Sequence, residues 1–432
     1  MSFRLPVGVF VLVFAILVAA LVPGRAPGKA AAAQAPEQAP EQALFAPEQA
    51  LFAAAAAEFR VPVEVIMAVA YVETRWVDHG SIPSFANGFG LMHLQSNEEN
   101  RSLDDAARLI GLSPADLRST TRENVRGGAA YLANLYRSAY TDDQALSRSA
   151  NVARWYRPVA TYLQSNAASV QRNYADAVFN TIQRGRSKST PRGTLSLPGS
   201  PTIVPERGDL EVVPNDFTLA ARVRATGRYQ SMSTAGKSLA PSLHALDREA
   251  PSDGWLTSPN FSAGRAWGQR GVVIHTCQSS SSSCQSELVR AGSGKSAHFQ
   301  VYSANGFREQ YVHRWDKAYH CGECPWVNPP PGVPADQQNW NEIGVGIEHE
   351  GKTWEFGWYT DVMYARSAWV TAYTCYFAGW GGCDSGHVVG HSQVQPGNPD
   401  PGPYWDWGWY MYCVSLRYNS LVNGGEFSDC LG

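Results

Sequence analysis

From Ala50 to Trp76 the apolar positions recur in steps of three and four. Phe59, Val63, Ile66 and Ala70 share one face, and Glu73 continues it. The pattern predicts one helix interrupted at Pro62, or two short ones, with Glu73 near a helix end. Beyond residue 270 the period changes. Val272 to His275 is an apolar strand that ends on a histidine. Residues 297–302 alternate, Ala304-Asn305-Gly306 turns, and residues 307–313 alternate back, which predicts a hairpin. Ile343 to Glu348 reads as a buried strand, Asp361 to Trp380 as a helix, and Val388 and Val389 as the start of a last strand. The fold class expected is multidomain: an all-α N-terminal domain followed by an α/β domain with a mixed sheet.

The stretches between these patterns set the boundaries. Residues 1–33 read as a secretory signal, with Arg4 ahead of an apolar run from Leu5 to Val22 and small residues after it. Residues 34–52 form an Ala/Pro linker in which Ala-Pro-Glu-Gln starts at Ala35, Ala39 and Ala46. The helical domain is expected over 53–184. Residues 185–257 read as a linker and an extension packed on the next domain, with edge strands between Ile203 and Val213. The C-terminal domain is expected over 258–432. Of 14 Trp residues, 12 lie at or after Trp255, so the two domains are built from different core residues.

Net charge is −3 with both signs mixed, which excludes a nucleic-acid binder held by a basic surface. All eight cysteines fall after residue 270. In an exported chain an even set reads as disulfides within one domain. Cys277–Cys284, Cys321–Cys324, Cys375–Cys383 and Cys413–Cys430 are the simplest pairs. Half a zinc knuckle at Cys321 and Cys324 is the rival, but no second CxxC exists. The polar run Gln278 to Ser283 reads as a loop closed by its flanking cysteines.

Candidate chemistry concentrates late in the chain. Gly390-His391 and Asp400-Pro401-Gly402 flank a loop restricted by Pro and Gly, and His275 ends a strand upstream. Two His and one Asp leave an open position on a zinc ion. Water on zinc loses its proton near neutral pH and can attack an amide carbonyl. Glu348, following a buried strand, is the candidate proton shuttle, with Glu350 at the same strand parity as its rival. His387 and His320 read as scaffold.

Two resemblances follow from these residues. Tyr71 to Trp76, Gly88 to Leu94 and Asn124 to Leu132 resemble three motif blocks of the soluble lytic transglycosylase, or goose-lysozyme-like, fold. That resemblance implies Glu73 as the catalytic acid/base and Met92 as a cleft residue. The family has Gln where this chain has His93, and Trp155 to Tyr162 replaces a Tyr-Asn-Ala-Gly block. The later blocks, Val272 to Thr276, Ser296 to Phe299, Ala318 to His320, Asn341 to Gly351 and Gly390 to Pro403, resemble the zinc-dependent N-acetylmuramoyl-L-alanine amidases related to peptidoglycan recognition proteins. That implies His275, His391 and Asp400 as Zn2+ ligands and Glu348 as acid/base. Asn398 stands where many members carry Lys, so His298 and Asn398 are the candidate substrate-binding residues for the oxyanion.

The reading is thus a secreted peptidoglycan hydrolase that cuts between N-acetylmuramic acid and L-alanine. Its helical domain cleaves or binds the glycan strand. The partners are glycan and stem peptide, with no nucleic acid and no stable membrane association after signal cleavage. The alternative is a non-catalytic peptidoglycan recognition protein.

Overall fold

The computed structural model describes residues 46–423 except 85, 99, 141–148, 214–249 and 251, together with 430 and 431. The expected signal, most of the Ala/Pro linker and the middle of the 185–257 segment lie outside the described residues.

The first pattern forms two helices. α1 (Pro47–Phe59) takes the last Ala-Pro-Glu-Gln as its first turn, where Pro is tolerated because that N–H has no helical partner. Pro62 separates it from α2 (Val63–Thr74), which carries Glu73 in its last turn. A short hairpin follows, β1 (Gly88–Phe89) with β2 (Leu94–Gln95). Then come α3 (Ser102–Ile110), α4 (Pro114–Ser119), α5 (Thr121–Ala139), α6 (Tyr156–Ala160) and α7 (Ala168–Arg184). Their apolar faces share one core that includes Phe52, Ile66, Leu132, Tyr156 and Phe179.

The segment from 185 departs from expectation. β3 (Arg186–Thr190) and β4 (Gly193–Leu197) form an antiparallel hairpin whose apolar side packs on the helical domain, while Lys188 reaches Glu355 of the next one. Leu195 and Leu197 enter the helical core, and Ala46 N–H donates to Thr194 O at 3.2 Å. The 203–213 stretch forms no strand. It turns through a short 3-10 helix, Gly208–Val212, because the buried Arg172 guanidinium donates to Leu210 O and Glu211 O at 2.9 and 2.6 Å.

The second domain starts with β5 (Gly254–Trp255). β6 (Phe261–Ser262) pairs with β10 (Lys317–Ala318) in a small separate sheet. The main sheet also contains β7 (Gly271–Ile274), β8 (Phe299–Val301), β9 (Arg308–Gln310), β11 (Gly344–His349) and β12 (Val388–Gly390), in the order β12-β7-β11-β8-β9-β5. Only the β8–β9 hairpin is antiparallel. The helices are α8 (Ser281–Val289), α9 (Trp340–Ile343), α10 (Asp361–Ala378), α11 (His391–Val394) and α12 (Trp407–Asn423). α8 corrects the polar-loop reading: Ser280 caps it by accepting from Ser283 N–H, so the serine run begins a helix. α10 and α12 pack together on the sheet, with Trp405 and Tyr410 in the core. The cysteines pair with their sequence neighbours, so Cys321 and Cys324 are bonded to each other rather than free as thiolate ligands. No helix among the described residues is long and apolar enough to cross a membrane.

Candidate functional site

The parallel pairing of β12, β7 and β11 places three chemical groups in one row. Gly390 aligns with Ile274, and Ile274 with Ile347. One step further along each strand lie His391, His275 and Glu348. Carboxyl ends of adjacent parallel strands are the usual place for a site in such sheets.

Asp400 returns to this row from the Pro/Gly loop. His391 Nδ1 lies 3.1 Å from its carboxylate and His275 Nδ1 lies 3.5 Å from it. Thr276 N–H donates to Asp400 Oδ2 at 3.2 Å. Burial pushes the Asp400 carboxyl up, but hydrogen bonds from both imidazoles outweigh it and hold the group below the usual range. His275 is pushed down to about 4, by burial first and then by the neighbouring His391. The charged carboxylate favoured at Asp400 and the neutral imidazole favoured at His275 are the protonation states a metal requires of such ligands.

Among the described residues, three groups bring donor atoms within 4.8 Å of one another: His275 with His391 and Asp400, Cys321 with Cys324 and His391, and Cys277 with Cys284 and Glu348. In the last two the sulfurs are tied in disulfides and offer no thiolate. That leaves the His/His/Asp group, whose donor set fits zinc.

Glu348 is buried, and no hydrogen bond reaches its Oε2. Burial raises its pKa well above the ordinary value, and the Asp400 charge adds to that. Glu350 is instead committed elsewhere, accepting from Ser303 N–H at 2.8 Å. Asn398 reaches the site: its Nδ2 lies 3.3 Å from His391 Nε2 and donates to Gln395 Oε1 at 2.6 Å.

His298 does not reach it. Its Nδ1 accepts from Gly346 N–H at 2.9 Å, and its Nε2 faces Arg265 and Asp316 O. It is a fully buried scaffold residue, and the expectation that it binds substrate is corrected. His320 lies closer than sequence suggested, with Nδ1 2.9 Å from His275 Nε2. Gly346 makes the room, since a Cβ there would stand 2.4 Å from the His320 ring. Gln395, 2.7 Å from His391 Nε2, was also missed. Its four-residue spacing from His391 was the available signal.

In the helical domain Glu73 is fully buried. His93 Nδ1 lies 2.8 Å from its Oε2, and Ser84 Oγ holds the far side of that ring at 2.7 Å. Asn124 fixes the turn below by accepting from Met92 N–H at 2.7 Å and donating to Phe89 O at 3.1 Å. Gly90 (φ 66°) allows this approach, because a Cβ would come within 2.3 Å of the Asn124 amide. Met92 lines no open cleft. It is fully buried against Gly128, which corrects its assignment to substrate.

Residues 265–403 match the family model of the N-acetylmuramoyl-L-alanine amidases, and residues 50–177 match that of the transglycosylase SLT domain. N-acetylmuramoyl-L-alanine amidase A of Achromobacter lyticus is 27% identical over 172 residues, covering 36% of this chain and 83% of that protein. Among solved structures, selenomethionine AmpD is similar at 22% identity and a TM-score of 0.30, covering 39% of this chain and 94% of its own. The E. coli amidase AmiD, solved with anhydro-N-acetylmuramic acid-L-Ala-D-gamma-Glu-L-Lys, is similar at 19% identity and a TM-score of 0.27, covering 33% and 56%. The chain therefore carries a transglycosylase SLT domain followed by an N-acetylmuramoyl-L-alanine amidase domain, in the order its motif blocks follow along the sequence.

Proposed function

We propose that this protein is an exported, zinc-dependent peptidoglycan hydrolase that cuts the amide between N-acetylmuramic acid and L-alanine. Its helical domain would act on the glycan strand through Glu73. The single observation that carries the amidase reading is the convergence of His275, His391 and Asp400 beside a buried, unpaired Glu348. A zinc ion held by those three ligands would supply a Lewis acid for the carbonyl and an activated water. Glu348 takes the proton from the attacking water and delivers it to the leaving nitrogen of L-alanine, and its burial favours the protonated form needed for delivery. Asn398, whose Nδ2 lies beside His391, would donate to the developing oxyanion. Asn supplies this without a charge, so it is a weaker donor than lysine. Export is supported by the signal-like residues 1–33 and by four disulfides in one domain.

A non-catalytic recognition protein would have no use for Glu348, whose burial without a hydrogen bond to Oε2 costs stability. The test uses the full chain and purified sacculi. Free L-Ala amino groups should appear, vanish with a zinc chelator and return with added zinc. Zinc-loaded protein that binds sacculi but releases no amino groups would decide for recognition.

A further inference from the structure

The serine run at the head of α8 is not used by the amidase chemistry, yet it makes a direct contact with the other domain. Ser283 Oγ donates to Glu73 Oε2 at 2.9 Å, and Ser280 Oγ donates to the same oxygen at 3.4 Å. Gln95, from the hairpin above Glu73, reaches Ser283 Oγ at 3.5 Å. A glycosidic oxygen must come within hydrogen-bond reach of Glu73 to receive its proton. In this structure two hydroxyls of the other domain stand there, and the Glu73 side chain has no solvent exposure.

The rim of the contact is equally specific. Arg75 Nη1 donates to Gly357 O at 2.6 Å, its Nη2 donates to Ser303 Oγ at 2.9 Å, and its guanidinium lies 3.7 Å over the Trp358 ring. Lys188 Nζ bridges Arg75 O and Glu355 Oε1 at 2.9 and 3.0 Å.

Inside that rim the fit is poor. Lys352 Nζ, His79 Nε2 and Glu355 Oε2 are buried without hydrogen-bond partners. Lys352 belongs to the amidase domain, but the charges around it include Glu73 and Asp78 of the helical domain. A buried ammonium without a hydrogen bond is costly, and a permanent interface would pair it. A contact that is matched at Glu73 Oε2 and its rim, but leaves Glu73 Oε1 and these three groups unsatisfied, regains hydration when it parts.

We propose that the serine run Ser279–Ser283 is an intramolecular plug on the transglycosylase site: it occupies the proton-accepting position at Glu73, so glycan cleavage requires the two domains to separate. The plug lies on the same connection that begins at the ligand His275, and the Cys277–Cys284 disulfide pins that connection. The amide site keeps solvent contact at His391, whose side chain is 12% exposed. The chain thus has an accessible amidase and a masked glycan-cleaving site. This inference rests on the reading of Glu73 as the acid.

Two variants test it from opposite sides. Ser283→Glu puts a carboxylate against Glu73 while suiting the first turn of α8. Arg75→Glu removes the guanidinium's contacts with Gly357, Ser303 and Trp358 and adds a negative charge to the rim that holds Glu355. Hydrogen exchange over residues 70–76 and 279–288 reports opening, anhydromuramyl ends report glycan cleavage, and released L-Ala amino groups report a folded amidase domain. Both variants should raise exchange in both segments and raise anhydromuramyl ends about tenfold or more over wild type. Adding Glu73→Gln should abolish those ends with amide release retained. Wild type that cleaves glycan as fast as both variants while its seam stays protected would overturn the plug. Variants that open the seam yet cleave no glycan would retire Glu73 as the acid, and with it the masked activity. Exchange that rises in neither variant would show that these contacts do not hold the seam.

Discussion

The two acids of this chain are buried in opposite ways. Glu348 lies inside its own domain, in register with His275 and His391, and no hydrogen bond reaches its Oε2. Glu73 is covered by another domain and accepts from two serine hydroxyls of that domain. Under the proposed function, burial in the first case would prepare a proton shuttle beside the His275/His391/Asp400 group. In the second it denies access. Burial alone therefore does not mark a working acid. What faces the carboxyl decides.

The largest test of this contrast is removal of a ligand. His391→Ala or Asp400→Ala should abolish zinc binding and reduce amide cleavage to background, read by elemental analysis and L-Ala release. Glycan cleavage in the Ser283→Glu background should persist. If both activities fall together, the two sites are not independent.

Next is Glu348→Gln, which keeps the shape and removes the proton shuttle. Amide cleavage should fall by about 10²–10⁴-fold in kcat with zinc retained. A loss of zinc with the activity would place Glu348 among the ligands instead.

A smaller effect comes from pH acting on the seam. Burial first, against the pull of Glu355, Glu73 and Asp78, lowers Lys352 to about 8. Release to water returns it towards its ordinary value near 10.5. The closed form then binds fewer protons between these values, so raising pH through that window favours closure and lowering it favours opening. The effect is on the order of 3 kcal/mol at most. His79, lowered to about 2 by burial and then by the Lys352 charge, acts in the same sense. Its contribution to closure is present above about 6.5 and is lost as pH falls below that value. The radius of gyration from small-angle scattering should grow on acidification. Contraction would contradict the assignment of these groups to the seam.

The smallest expected effect is Arg75→Ala. It loses one cation–π contact and two hydrogen bonds, about 1–2 kcal/mol of interdomain contact. Partial deprotection of the seam in hydrogen exchange, with amide release unchanged, is the expected outcome.

Local patterns were legible where neighbouring residues decide the structure. The helical period placed Glu73 at a helix end, and the apolar runs ending at His275 and Glu348 were parallel strands. Disulfides fell between cysteines close in sequence. Misreadings came where distant residues compete. His298 alternates like a site residue but is taken by Gly346 and Asp316, which lie far away in sequence. Residues 203–213 looked like edge strands until the carbonyl demand of buried Arg172 turned them. The serine run looked like a solvated loop because nothing in its own sequence shows what it faces.

Sequence alone determined the two domain types, the order of their motifs and the candidate metal-ligating residues, because those depend on periodicity, side-chain chemistry and spacing along the chain. Tertiary structure alone decided which groups meet. It aligned His275, His391 and Glu348 through sheet register, excluded His298 and Met92 through packing, and set Ser280 and Ser283 against Glu73 across 207 and 210 residues of chain. The physical reason is that hydrogen bonds and burial act over a few ångströms in space, whatever the separation along the chain.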